Sequence, residues 1–233
     1  MAVRFVFMGD MEVIEWESTA LMNNTWKKRL KRRVGVLLLA CMLSVSGCSN
    51  ASDDKKQSIV CVQAGASSGS GVIYEKTEDM LIIATAAHVL EQESGQVEVT
   101  FCDDLTVQSS SCYVSANSDL AFVNVPLSAL SDKQIKNYKA VKVNKEAFDA
   151  LQNGAEVEFY GGEKATMLEC WIYVEDFQQY MMLMQGTIYP GMSGGGVFDT
   201  EGNFLGILSG ANEAGEVAAV PLSIMQAEYA GVY

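Results

Sequence analysis

A single histidine, three prolines and no Cys-x-x-Cys pair occur in a chain of 233 residues. A structural zinc site asks for about four nitrogen or sulfur ligands at close spacing, and one imidazole without paired cysteines does not supply them. No metal and no organic cofactor is expected. Few prolines beside 20 glycines fit a chain of strands and turns better than a disordered one. Arginine is absent beyond residue 47, where nine lysines face 25 acidic side chains for a formal charge of −16. Nucleic acid is excluded as a partner, because phosphate binding needs clustered Lys and Arg. Attraction to an anionic membrane by charge is disfavoured for the same reason. The acidity suits solubility and has no bearing on the fold.

The basic residues are concentrated instead near the start. Lys27, Lys28, Arg29, Lys31, Arg32 and Arg33 precede an uncharged apolar run from Val34 to Val45. A basic segment, a short apolar segment and small residues are the parts of a secretory signal. The competing reading is a transmembrane helix, but the run is short of the ~20 residues that span a bilayer. Val45-Ser46-Gly47-Cys48 resembles the bacterial lipobox, which implies a lipid on Cys48 and residues 1–47 as a signal peptide. Ser49 follows, so the aspartate associated with inner-membrane retention is missing. Asp10, Glu12, Glu15 and Glu17 do not suit a signal, which points to translation starting at Met22 or to an extended leading region. The expected product is exported and held by lipid at the outer face of the cytoplasmic membrane.

Residues 48–57 are polar and read as the tether. Short apolar runs separated by Gly, Asp, Asn and Ser then predict strands at 59–62, 71–74, 81–85, 96–101, 107–114 and 120–125. A second set is predicted at 156–160, 166–174, 180–185, 195–199, 203–208 and 217–220, after a charged connection from Pro126 to Asn144 with room for one helical turn. The expectation is an all-β chain, with an N-terminal barrel over 58–127 and a linker and C-terminal barrel over 128–233. Cys61, Cys102, Cys112 and Cys170 allow three disulfide pairings or free thiols.

Three segments carry chemistry. Thr85-Ala86-Ala87-His88 ends a predicted strand with the only side chain whose ordinary pKa lies near neutrality. Pro190-Gly191-Met192-Ser193-Gly194-Gly195-Gly196 presents a serine among glycines. A serine hydroxyl needs a base to take its proton and backbone N–H groups to hold the oxyanion, and glycines allow the sharp turn this requires. A Gly-rich turn before a strand is the plainer reading. Gly-x-Ser-x-Gly also suits the nucleophile elbow of α/β-hydrolases, but there the histidine follows the serine, whereas His88 precedes Ser193 by 105 residues. Asn117-Ser118-Asp119-Leu120 supplies an acid between them, at the mouth of an apolar strand.

Thr-Ala-Ala-His, Asp-Leu-Ala-Phe-Val and Gly-x-Ser-Gly-Gly, in this order, resemble the chymotrypsin-fold serine proteases, and most nearly the bacterial high-temperature-requirement (Deg-type) branch. The likeness runs over about residues 58–225, with 31 residues from His88 to Asp119 and 74 from there to Ser193. It implies a chymotrypsin-like double β-barrel with the active site between the barrels, and endopeptidase action on polypeptides. It further implies Ser193 as nucleophile, His88 as base, Asp119 as the orienting acid, and Gly191 and Ser193 N–H groups as the oxyanion hole. Ser209, Gly210 and Ala211 would pair with bound peptide, the Ser209 hydroxyl would support Asp119, and Thr187 would floor the specificity pocket. A non-acidic Thr187 argues for a small or medium apolar side chain before the cleaved bond.

The sequence departs from that branch at Met192, usually asparagine, and Gly196, usually proline. The 13 residues from 221 on are too few for a peptide-binding PDZ domain. A catalytically silent binding module on the same fold, and an esterase or other acyl transferase, stay open as alternatives, as does the oligomeric state.

Overall fold

The computed structural model describes residues 6–7, 55–91, 96–159 and 161–233. The expected signal peptide, Met22, Cys48 and most of the tether lie outside the described residues, apart from the two-residue strand β1 (Val6–Phe7).

Seven antiparallel strands follow: β2 (Ile59–Ala64), β3 (Ser67–Lys76), β4 (Met80–Thr85), β5 (Val97–Thr100), β6 (Thr106–Ser109), β7 (Cys112–Val114) and β8 (Ala121–Pro126). They form one sheet in the order β6-β5-β2-β3-β4-β8-β7. The sheet curls back on itself where Ser109 Oγ donates to the Asn124 carbonyl at 2.7 Å, tying β6 to β8. The predicted strand at 107–114 is in fact two, interrupted at Ser110-Ser111 as the chain turns from β6 into β7.

The connection holds more helix than one turn. Helix α1 (Asp132–Asn137) starts on a capping box, in which Ser131 and Gln134 satisfy each other's backbone N–H groups. Strand β9 (Lys142–Val143) and helix α2 (Lys145–Asp149) follow. The second sheet comprises β10 (Glu156–Phe159), β11 (Lys164–Val174), β12 (Gln179–Gln185), β13 (Gly196–Asp199), β14 (Asn203–Ala211) and β15 (Glu216–Pro221). Its order β14-β13-β10-β11-β12-β15 closes into a ring because β15 also pairs with β14. A last helix, α3 (Leu222–Val232), was not foreseen. Strand β1 adds antiparallel to β14, with Val6 opposite Ala211 and Phe7 opposite Gly210.

The central strands of the first barrel are apolar on both faces because each face meets a different core. Along β4, Leu81 and Ile83 point into the first barrel, while Ile82 and Ala84 face the second. Strand β8 divides likewise, with Ala121, Val123 and Val125 inside and Phe122 outside. Val72, Tyr74, Leu120 and Phe122 then join Phe198, Phe204, Ile207, Val220, Leu222 and Met225 in a shared core between the barrels. Each such side chain, taken out of water, contributes about 1.5–3 kcal/mol before conformational entropy is set against it. That shared core fixes the two barrels against each other. It also fixes the loops that leave β4 and precede β8 and β13.

Candidate active site

His88 sits in a single 3-10 turn, Ala87–Leu90, that starts two residues after β4 ends. The turn is buried throughout, which holds the imidazole at the barrel junction. Asp119 lies just before β8, in a turn organised by Ser115: its Oγ accepts from the backbone N–H groups of Asn117 and Ser118, both at 3.1 Å. The two loops meet at the carboxylate. His88 Nδ1 lies 3.0 Å from both Asp119 Oδ1 and Oδ2, and the His88 backbone N–H donates to Oδ1 at 3.0 Å. The side chains are only 7% and 6% exposed, so this contact is made where water screens little. With Nδ1 turned to a carboxylate as donor, Nε2 is the ring nitrogen left with a lone pair for a proton.

Ser193 lies on the loop between β12 and β13 and is buried. Three contacts pin this loop against β3 and the segment that carries His88. Ser70 N–H donates to the Ser193 carbonyl at 2.7 Å. Gly194 (φ +82°) presses so close that a Cβ there would collide with the Ser70 carbonyl oxygen and Thr85 Oγ1 and lie 2.9 Å from Ala86 N. Gly69 does the same from β3: a Cβ would lie 2.8 Å from the Ser193 carbonyl oxygen and 2.6 Å from the Val89 methyl, next to His88. The nucleophile loop and the histidine turn are therefore neighbours. Ser193 Oγ itself donates to the Ser209 carbonyl at 3.3 Å, a long contact that is weak and easily exchanged.

Before the serine, Tyr189-Pro190-Gly191-Met192 forms a β-turn closed by Met192 N–H to the Tyr189 carbonyl at 3.1 Å. Proline at the second position and φ +94° at Gly191 make it type II. Met192, the departure from the branch, is buried in the core of the second barrel, and its Sδ accepts from Tyr189 N–H at 3.2 Å. Gly196, the other departure, has no room for a side chain, since a Cβ would lie 2.6 Å from the Phe198 ring.

The remaining expected residues fare unevenly. Ser209 and Gly210 are buried in β14 and Ala211 is half-buried at its end. The Ser209 hydroxyl, expected to support Asp119, hydrogen-bonds to none of the described residues. The second barrel reaches Asp119 through Gln179 instead, whose Oε1 accepts from the Asp119 N–H at 3.3 Å. Thr187 is exposed, on the loop between β12 and β13. Gln179 and Glu228 were not singled out from sequence. Glu228, on α3, accepts from Ser115 Oγ at 2.9 Å and Tyr113 Oη at 2.7 Å, and so props the turn before Asp119. Cys102 and Cys170 are free thiols, and burial pushes both up from the ordinary cysteine range.

Residues 69–207 match the trypsin-like peptidase domain. A "Serine protease HtrA-like" of Staphylococcus aureus strain bovine RF122 / ET3-1 is 30% identical over 152 residues, 60% of this chain and 20% of the relative. The same protein of strain USA300 matches to the same extent. The chain thus spans about a fifth of the length of these relatives. Among solved structures, the active form of the Rv3671c protease of M. tuberculosis superposes with TM-score 0.61 at 18% identity, over 78% of this chain and 83% of that one. The serine endoprotease of Yersinia pestis gives 0.61 at 17% identity, over 80% and 67%. The double barrel is therefore the chymotrypsin-like one.

Proposed function

The chain belongs to the family of trypsin-like peptidase domains, serine endopeptidases, and from that premise we propose that it cleaves polypeptides through a His88–Asp119–Ser193 triad and an acyl-enzyme. The observation that carries this reading is the buried imidazole held 3.0 Å from both oxygens of a carboxylate, with the serine loop packed on the strand end that delivers it.

Ser193 Oγ leaves the Ser209 carbonyl and attacks the scissile carbonyl carbon while its proton passes to His88 Nε2. The Asp119 carboxylate stabilises the imidazolium that results. The oxyanion of the tetrahedral intermediate lies against the N–H groups of Gly191 and Ser193. Collapse of that intermediate breaks the C–N bond, and the leaving amine takes the proton from His88. Water then repeats the sequence on the acyl-serine and restores the hydroxyl. Substrate adds as an antiparallel strand at Gly210–Ala211, the backbone edge on which Val6–Phe7 already lies. A side chain of small or medium apolar size precedes the cleaved bond.

Residues 1–47 act as an export signal, and lipid on Cys48 anchors the protein at the outer face of the cytoplasmic membrane. Removal of residues 1–47 would take Val6–Phe7 off that edge and leave it open to substrate.

Cleavage of an unfolded protein tests the reading. Ser193→Ala and His88→Ala each lower turnover by roughly 10³-fold or more, because the three residues act as a unit. Undiminished cleavage by Ser193→Ala would rule the triad out.

A further inference from the structure

Both oxygens of Asp119 are turned to His88, so the direction of that carboxylate depends on how the backbone beneath it is held. The connection from β7 to β8 is closed at its base by Ser115 N–H, which donates to the Leu120 carbonyl at 2.9 Å. Inside it, Leu120 N–H donates to the Ser118 carbonyl at 2.7 Å, a γ-turn with Asp119 at its centre. The Asp119 side chain therefore points where the placement of Ser118 sends it. Ser118 is held through Ser115 Oγ, which lies 3.1 Å from its N–H and 3.1 Å from its hydroxyl, and which also accepts from Asn117 N–H at 3.1 Å.

A hydroxyl has one hydrogen and two lone pairs. Donors crowd Ser115 Oγ, and its lone pairs stay with them only while its own hydrogen is taken elsewhere. Glu228 Oε1 takes it at 2.9 Å, and an ionised carboxylate offers lone pairs alone. Glu228 Oε2 accepts from Tyr113 Oη at 2.7 Å, which fixes the plane of the carboxylate. We propose that Glu228 is a positioning residue for Asp119, acting through Ser115 and Ser118; this rests on the peptidase reading above. Glu228 reaches the turn because of where α3 is seated. Leu222 and Met225 are buried in the core shared by the barrels, and Tyr229 packs edge to face on Tyr74 at 5.3 Å and on Phe122 at 5.6 Å. Glu228 lies three residues after Met225 and so on the same side of the helix. The last helix of the chain thereby sets the acid that the first barrel carries.

The test uses Glu228→Ala, Glu228→Gln and Ser115→Ala in the full-length chain, each checked for folding by circular dichroism. The proton between His88 Nδ1 and Asp119 gives a low-field NMR line that reads their geometry directly. In Glu228→Ala that line shifts or broadens, and kcat falls about tenfold with KM little changed, as expected for loss of one charge-assisted hydrogen bond. Glutamine keeps an acceptor oxygen for Ser115 and offers its NH2 group to Tyr113 Oη, so Glu228→Gln retains the line and most of kcat. Ser115→Ala lowers kcat at least as far, and adding Glu228→Ala to it lowers kcat no further. A folded Glu228→Ala with the wild-type line and kcat overturns the proposal. Glu228→Gln as impaired as Glu228→Ala also overturns it, since an acceptor at this position would not be what counts. Losses that multiply in the double variant overturn it too, since Glu228 would then not act through Ser115. Should Glu228→Ala fail to fold, Ser115→Ala and Glu228→Gln decide by the same line. A wild-type chain without peptidase activity refutes the reading above instead, and the NMR line still decides for or against Glu228.

Discussion

Replacing Gly194 and Gly191 by alanine, separately, sets two costs against each other. Both glycines have φ in the left-handed region, +82° and +94°, where an L-residue is strained by about 1–2 kcal/mol. Their surroundings differ. A Cβ at Gly191 meets nothing within 4 Å, so Gly191→Ala carries the strain alone. At Gly194 the added methyl runs into the Ser70 carbonyl, Thr85 Oγ1 and Ala86 N, which are backbone or buried atoms held by the Thr85–Ser70 hydrogen bond. They cannot swing aside like the tip of a surface side chain. Overpacking of this kind adds about 1–3 kcal/mol. Gly194→Ala should therefore be less stable than Gly191→Ala by that increment, a melting-temperature difference of roughly 2–4 °C per kcal/mol for a chain of this size. Because relief requires the serine loop to move off the histidine strand, Gly194→Ala should also react with a fluorophosphonate about 10²-fold more slowly than the wild type. Urea unfolding and labelling rates on the same preparations measure both. Equal stability of the two variants would show that the loop does not pack on Thr85 and Ala86 as described.

Three further outcomes follow from other contacts. Gln179→Ala removes the acceptor of the Asp119 N–H, and loss of one such bond should lower kcat/KM by up to about tenfold with the fold intact, as steady-state kinetics and circular dichroism would record. Tyr138 stacks on Phe101 at 4.3 Å and donates to Asp103 Oδ1 at 2.6 Å. Burial alone would raise Asp103, but the bonds from Tyr138, Gln134 and backbone N–H groups outweigh it and hold the carboxyl below its ordinary value. Stability gained there is present above the unfolded carboxylate pKa and lost as pH falls through the folded one. Tyr138→Phe should thus cost about 1 kcal/mol near neutrality, and the deficit should shrink in acid unfolding below about pH 4. Tyr74 and Tyr229, packed edge to face at 5.3 Å, are each pushed up to about 12 by burial and then by Glu75. A raised phenol stabilises the fold fully below the unfolded pKa near 10 and ceases to as pH rises through 12, so urea midpoints should drop across that window, and drop less in Tyr229→Phe.

What could be read from sequence was whatever a short segment states by itself. His88, Asp119 and Ser193 each stand in a local pattern, and their order chose among hydrolase folds. The strands of the first barrel were legible because β4 and β8 serve two cores at once and are apolar nearly throughout. Residues whose role arises only from tertiary register were not legible. Gln179 reaches Asp119 across 60 residues and Ser70 reaches Gly191 across 121, and no local pattern marks either. Helix α3 was hidden because its buried residues, Leu222 and Met225, are too few to state a helical period, and Glu228 was missed with it. Thr187 and the Ser209 hydroxyl were placed by analogy alone, and the Ser209 hydroxyl makes no hydrogen bond to Asp119 among the described residues.

Catalysis by this chain requires that Ser193 carry a hydroxyl that His88 can deprotonate. Reaction of the folded chain with a fluorophosphonate, followed by peptide mass mapping, tests that most directly. The expected result is one phosphonate per molecule, on the peptide containing Ser193, absent after unfolding in urea and absent in His88→Ala. A native chain that takes up no label, or takes it up at another residue, would contradict it.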